Sequence, residues 1–521
     1  MHRCLMISEI LENIFDHLRR KYRGIRFLAA LARTCKTFSG PALDYMWADL
    51  RSGIFNLLRC MPQDLFNLPK TPFPQHFRLL RPIVASDWER PLVYARRIKS
   101  IVIHPSPIIP DIFPALSASL PGDVQPLFPR LTSLYWFHPE DLIWIRLLLS
   151  RQITFLYILC APSNTNLSLF PTIARTCSGL KNLTVQFRGD AGSGRLALSS
   201  FLRALDTLES LSMPIPDLEA LHHISRIPGL KHLTTSLPDD ISFTAPVFHL
   251  PFIALERIDL PFNEIAHATH FFRKCSGLTL KHVDIDLNSC STTTATDTLY
   301  TALRDACSHS SLVILSIDHG EFNSVGTAND AYMINIYSVR LLFSFAKLTS
   351  LSLASYVGFN IDDAGIKEVA LAWPQILVLR LPALGEYAEP QLSLYCLRIL
   401  AERCQSLAEL EVTLDATLIP EPESGSWTRV SQSALSDLHI GQSPISQPSL
   451  HVARFISALF SNLSGLSTNR SHVEDDPEAL EEHEEAIAYH NIWMEVDAQL
   501  PVLSAIREEE RLWAREELGA Q

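Results

Sequence analysis

The 521-residue chain is 47% apolar and 19% charged, the composition of an ordered protein, and it is too long for one compact core. Its net charge of −12 sits in the last 51 residues, where 15 carboxylates face three arginines and the other 470 residues are balanced. Ten cysteines without a Cys-x-x-Cys pair exclude a disulfide scaffold and point to reduced, mostly buried thiols. No run of 18 apolar residues occurs, stretches such as LIWIRLLL are broken by charges like Arg146, and the N-terminus lacks a signal-peptide pattern. A soluble cytoplasmic or nuclear protein without a membrane partner is therefore expected.

Two apolar helical phrases come first in the chain, joined by a short basic link. In the first, Ile7, Ile10, Leu11, Ile14, Phe15 and Leu18 fall on one helical stripe, with Ser8 placed to cap it. The second carries Leu28, Leu31, Ala32, Cys35 and Phe38, then Ala42, Leu43 and Trp47 beyond a Gly40-Pro41 punctuation. Two or three helices in so few residues cannot enclose much core, so a partner, a metal or disulfides are needed. Cys4, Cys35, His2 and His17 are not spaced as a zinc module, which leaves a partner surface and no metal.

Residues 1–50 resemble an F-box in Glu9-Ile10-Leu11, Ile14-Phe15, Leu18, Leu31, Cys35-Lys36, Phe38 and Trp47. The resemblance implies docking on a Skp-type adaptor and, through it, on a cullin-RING ubiquitin ligase. The implied adaptor-binding set is Ile7, Ile10, Leu11, Ile14, Phe15, Leu18, Leu28, Leu31, Cys35, Phe38 and Trp47. One departure stands out: F-boxes commonly carry proline two positions before the Glu-Ile-Leu run, and this chain has Ile7 there.

Residues 51–95 read as a linker and a cap for the body that follows. From 96 to 462 a phrase of the form apolar-x-x-apolar-x-apolar recurs thirteen times, anchored at Ile98, Leu131, Ile153, Leu180, Leu208, Leu230, Leu255, Leu280, Leu312, Leu348, Ile376, Leu407 and Leu435. The spacing runs from 22 to 36 residues, and one phrase is weak, ending in Thr235. Alternation puts two of the three apolar residues on the inner face of a short strand that one repeat cannot bury alone. Helical phrases such as THFFRKCSGL and SLYCLRILAERCQSL fill the intervals. The pattern resembles leucine-rich repeats, which implies a curved solenoid of strand-then-helix units. Cys177, Cys275 and Cys404 end such helices three residues before a leucine and read as packing residues, and Asp362 to Ile366 reads as a loop-to-helix start.

Catalytic motifs fail on inspection. Gly189 and Gly194 have P-loop spacing, but Arg195 and Leu196 stand where lysine and a hydroxyl residue are required. His267-x-x-His270 and His222-His223 lack a third ligand and an acidic base, and no Gly-x-Ser-x-Gly elbow or paired-carboxylate site stands out. The basic clusters Arg19-Arg20-Lys21 and Arg96-Arg97 with Lys99 are too short and isolated for a nucleic-acid stripe. The second reads as a solvated repeat edge.

After a closing helix in LHVARFISALFSNL, residues 471–521 read as an acidic helical tail starting near Asp476-Pro477, with Pro501 expected to kink or split it. Its apolar residues around Trp493 either cap the repeats or bind a partner helix; otherwise the tail is a solvated appendage. The expected architecture is thus α/β: a helical F-box, a leucine-rich-repeat solenoid and an acidic helical tail. The expected role is a non-enzymatic substrate receptor of a cullin-RING ligase, binding an adaptor and an unknown protein substrate, with no cofactor. The rival is a leucine-rich scaffold with a degenerate F-box-like cap.

Overall fold

The computed structural model describes residues 8–21, 24–51, 53–67, 78–106, 109–122, 124, 126–189, 194–237, 249–321, 330–385, 389–420, 430–463, 465–468 and 484–519. Two compact units divide the chain, Met1–Leu233 and Thr234–Gln521.

The first unit opens with three helices, α1 (Ser8–Arg20), α2 (Gly24–Ala32) and α3 (Lys36–Trp47). The second apolar phrase is thus two helices, and the break falls at Thr34 rather than at Gly40-Pro41. Thr34 caps the end of α2 by donating its hydroxyl to Leu31 O at 2.8 Å. Pro41 lies inside α3, which runs on through it. Between this bundle and the first ruler phrase, residues 53–67 and 78–95 are described and pack against one another. They bury Leu57, Leu65 and Trp88, and Arg81 binds Asp87 (2.7 Å) and Asp64 (2.8 Å).

The repeat strands of this unit are β1 (Asp49–Leu50), β2 (Ser100–Ile103), β3 (Ser133–Trp136), β4 (Phe155–Cys160), β5 (Asn182–Phe187) and β6 (Ser210–Ser212), with β7 (His232–Thr234) at the unit boundary. They are parallel, and the central apolar residue of each ruler phrase is in register with the next: Ile101 with Leu134, Leu156, Leu183 and Leu211 in turn. Among these parallel strands only β1, paired with β2, lies outside the ruler pattern, and Phe66–Asn67 pairs antiparallel with Arg78–Leu79 in a separate two-stranded sheet.

In the second unit the strands are β8 (Arg257–Asn263), β9 (His282–Leu287), β10 (Ile314–Asp318), β11 (Ser350–Ala354), β12 (Val378–Leu381), β13 (Glu409–Val412) and β14 (Asp437–His439). The ladder continues in the same way, Ile258 with Val283, then Leu315, Leu351, Leu379, Leu410 and Leu438. All thirteen ruler phrases therefore form strands. Their first apolar residues, from Ile98 to Leu435, are each at most 1% exposed. A buried leucine contributes roughly 1.5–3 kcal/mol, and the register stacks these contributions from one repeat onto the next.

Helices fill the intervals, among them Ile265–Arg273, Thr293–Ala306, Asp363–Ala372 and Tyr395–Arg403. Asp362 starts one of them by accepting the Gly365 amide at 2.8 Å. Parallel strands in leucine register, alternating with helices, give an α/β repeat array, as the ruler phrases predict.

The terminal helix, Glu484–Gly519, contains Pro501 without being split by it. Proline forfeits one backbone hydrogen bond, and tertiary contacts on both sides of residue 501 hold the helix in place. Trp493, Val496 and Leu500, spaced three and four apart, are buried at 1%, 0% and 0%. Trp493 donates its indole N–H to Ser443 O (2.8 Å), and Glu495 accepts from Ser449 Oγ (2.8 Å) and Gln447 (3.0 Å). Asp497 accepts the Leu466 amide at 2.7 Å, and Arg507 donates to Ser457 Oγ at 3.1 Å. The helix lies along the closing helix Ser449–Leu459 and seals the last repeat. The proposed start at Asp476-Pro477 lies outside the described residues.

Candidate functional site

The three-helix bundle is small, and its core is correspondingly short of members. Leu11, Phe15, Leu28 and Ala42 are buried, and Leu18, Leu31, Phe38 and Tyr45 pack against them partly exposed. Phe15 meets Phe38 and Tyr45 edge-on, with ring centroids 6.2 and 6.0 Å apart. The first residue of α2 closely approaches the end of α1. A Cβ at Gly24 would stand 2.0 Å from Leu18 O, so only glycine fits there.

This core sorts nine of the eleven residues of the adaptor set into three groups, with Trp47 and Ile7 apart. Leu11, Phe15 and Leu28 are interior, 5%, 1% and 0% exposed, and support a surface instead of forming one. Ile10 and Ile14, one turn apart on α1, are each 37% exposed. Leu18, Leu31, Cys35 and Phe38 are half-buried, Cys35 sitting at the start of α3. Trp47 turns toward the body and stacks on Tyr94 at 4.4 Å, so its ring serves the junction with the repeats. Ile7 lies outside the described residues. Two further apolar side chains belong to the exposed set, Ile25 at 59% and Phe27 at 52% on α2. They fall in and just after the basic link, where arginines on either side hide them from a search for long apolar stripes. Exposed isoleucine and phenylalanine on adjacent helices are the raw material of a protein-binding surface.

The open faces of the repeat strands form the second candidate surface, and they differ between the two units. In the first unit the face carries rings. Tyr135 lies 4.8 Å from Phe155, Phe137 lies 4.7 Å from Tyr157, and Phe137 stacks on His104 at 6.1 Å. The Tyr157 hydroxyl donates to Gln186 at 2.6 Å. In the second unit the corresponding face is ionic. Arg257 binds Asp259 at 2.9 Å, Arg380 binds Glu409 at 2.7 Å, and His439 faces Glu411 at 3.2 Å. Partial desolvation raises the Asp286 carboxyl above the usual aspartate range, and the charges of Asp284, Asp318 and Asp259 push it further.

Chemistry is sparse. Among the described residues one metal-capable set exists, Asp259, His282 and Asp284, with ligand atoms within 4.8 Å of one another. Both oxygens of Asp259 already accept from Arg257, and one accepts from Thr234 at 3.0 Å, so the set is built as an ion pair. His270 bonds to Ala266 O within its own helix, and His223 to Leu205 O. Cys177, Cys275 and Cys404 are buried at helix ends, where desolvation raises the Cys177 thiol to about 12 and that of Cys404 to about 11. Such thiols stay protonated and pack as small apolar groups. Residues 190–193 of the glycine-rich stretch are outside the described residues, and Arg195 donates to Pro216 O at 2.9 Å. Among the described residues no helix is long and apolar enough to cross a membrane.

No family model matches the sequence, and no curated protein matches it. Among solved structures the chain is similar to an internalin (inlF) from Listeria monocytogenes, with 13% identity and a TM-score of 0.38 over 73% of this chain and 89% of that one. It is also similar to the protein of a TLR13–ssRNA13 complex, with 14% identity and a TM-score of 0.30 over 77% of this chain and 60% of that one.

Proposed function

We propose that the protein is a substrate receptor of a cullin-RING ubiquitin ligase, in which the three-helix bundle docks a Skp-type adaptor and the repeat strands hold a protein substrate. The observation that carries this reading is the split of the helical stripe: Leu11, Phe15 and Leu28 build a core that leaves Ile10, Ile14, Ile25 and Phe27 facing water. Exposing four large apolar side chains on so small a bundle is unfavourable unless a partner covers them. The contribution to ubiquitin transfer is proximity, holding a substrate lysine at high effective concentration with no bond-making residue of its own.

The test is co-purification of the full chain with a Skp-type adaptor, beside Ile10→Asp and Ile14→Asp variants. Retention of the adaptor by the parent chain and its loss from both variants is the expected result. Failure of the parent chain to retain the adaptor, where a known F-box does, sinks the reading.

A second reading has its own support. The bundle is fastened to the first repeat by the Trp47–Tyr94 stack, by Arg97 donating to Gly40 O at 3.1 Å, and by the Lys99 and Ser100 amides donating to Ala48 O at 2.9 and 2.8 Å. These contacts suit an N-terminal cap on a leucine-rich scaffold. That role requires no adaptor binding, so the same experiment separates the two.

A further inference from the structure

The two basic clusters of the sequence, isolated along the chain, converge in the fold. Arg19 from the first and Arg97 and Lys99 from the second line a single cavity of about 380 Å³ between α1, α3 and the edges of the first repeats, and Arg130 joins them from the turn before β3. The carboxylates on the same wall are Glu12 and Asp44. Asp44 is taken by Arg97, and Arg19 is 3.7 Å from Asp16. Lys99 and Arg130 have no ion-pair partner among the described residues, so the cavity holds an excess of positive charge. A buried donor is also left over: Arg97 Nε has no hydrogen-bond partner among the described residues.

The unpaired cations on the wall call for an acceptor-rich anion. Like charges gathered around a cavity repel one another, and an orphaned guanidinium N–H leaves its desolvation uncompensated. Guanidinium groups match the oxygen spacing of phosphate, and Lys99 can add a point charge. Tyr45, also on the wall, keeps its phenol protonated because burial and the neighbouring Glu12 and Asp16 raise its pKa, so it remains a donor. A monocarboxylate would bring one charge and two oxygens to this set, whereas a phosphate monoester brings close to two charges and three terminal oxygens. The volume lies in the range of small-ligand sites and leaves room for the group that carries the phosphate.

We propose that the cavity between the helical bundle and the first repeats binds a phosphate monoester dianion, with Arg19, Arg97, Lys99 and Arg130 as its cationic lining. The inference does not depend on the adaptor reading. Because the walls belong to both the bundle and the repeat edge, occupancy ties one to the other and raises the stability of the junction. The phosphate comes either from a small phosphorylated molecule or from a phosphorylated side chain of a protein.

The test is calorimetric titration and thermal unfolding of the full chain with inorganic phosphate, with a phosphoserine peptide and with its unphosphorylated form, against chloride at matched ionic strength. The expected result is a rise in Tm with a phosphate-bearing probe that chloride and the unmodified peptide do not produce. A Lys99→Glu, Arg130→Glu double variant, which alters two exposed side chains and leaves the Arg97–Asp44 contact intact, should lose at least tenfold in affinity with its ligand-free Tm unchanged. Binding of the phosphopeptide alone assigns a protein-borne phosphate, and binding of inorganic phosphate of equal or greater strength assigns a small molecule. Absence of a response to either probe in the parent chain overturns the proposal. So does equal binding by the double variant.

Discussion

Both ends of the described chain are amphipathic helices, and they dispose of their apolar residues in opposite ways. In the terminal helix, Trp493, Val496 and Leu500 are driven into the last repeat, and the polar residues beside them are stitched to it by hydrogen bonds. In α1, Leu11 and Phe15 enter a core that the bundle makes for itself, while Ile10 and Ile14 stay in contact with water. A stripe of apolar residues therefore signals a helix without saying what covers it. The difference lies in how much of each circumference its neighbours can reach: α2 and α3 cover one side of α1, and no other described helix closes the rest.

That contrast can be broken at either end. The largest effect is expected from deleting residues 471–521. This uncovers the face of the closing helix that carries Ser449 and Ser457 and should lower Tm by many degrees, with loss of solubility; a truncated chain that unfolds like the parent would sink the capping role. Trp493→Ala should cost about 3–5 kcal/mol, as expected for a fully buried tryptophan that also makes a hydrogen bond, read as a drop in the denaturant midpoint. A change below about 1 kcal/mol would place the indole outside the core.

The interior of the repeats supplies a reference that neither end touches. His319 is buried against the Tyr300 hydroxyl at 2.9 Å, and desolvation lowers its pKa to about 4. Its folded pKa lies below the usual histidine value near 6.5, so the neutral ring stabilises the fold fully above that value. The contribution, up to about 3 kcal/mol, is lost as pH falls from 6.5 toward 4. Equilibrium unfolding between pH 7 and 4 should show this decline and Tyr300→Phe should alter it; a profile that is flat across this range contradicts it.

The smallest stability effect belongs to the exposed isoleucines. Ile10→Asp and Ile14→Asp should each change unfolding free energy by less than about 1 kcal/mol, because their side chains are already partly in water. The same substitutions should abolish retention of a Skp-type adaptor if the proposed role holds. A large loss of stability instead would assign the two residues to packing and favour the cap.

The repeat strands were legible because each ruler phrase combines a period of two with leucines at fixed offsets, a signal that survives intervals of uneven length. Strand β1 was not, since Asp49 and Leu50 are too few to show alternation. Gly40-Pro41 suggested a break that the structure puts at Thr34; the bundle holds α3 together across Pro41 as the last repeat holds the terminal helix across Pro501. The candidate surface was legible only as a list. Periodicity placed Ile10, Leu11, Ile14 and Phe15 on one stripe, and only the packing of α2 and α3 separates core from surface. Ile25 and Phe27 lay in a stretch whose charge disguised them. The gathering of Arg19, Arg97, Lys99 and Arg130 depends on contacts between segments more than seventy residues apart, which no local pattern records.

The fastening of Trp493 to Ser443 O spans 50 residues, longer than the 22 to 36 that separate consecutive ruler phrases. Each strand can find its neighbour as soon as the next interval of chain has formed, so the repeats can assemble in the order of synthesis. The last one cannot be sealed until the helix at 484–519 has emerged. Until then Ser449 and Ser457 on the closing helix lack the Glu495 and Arg507 partners they have in the fold, so exposure to chaperones and to misassembly at this end of the repeats persists until that helix docks.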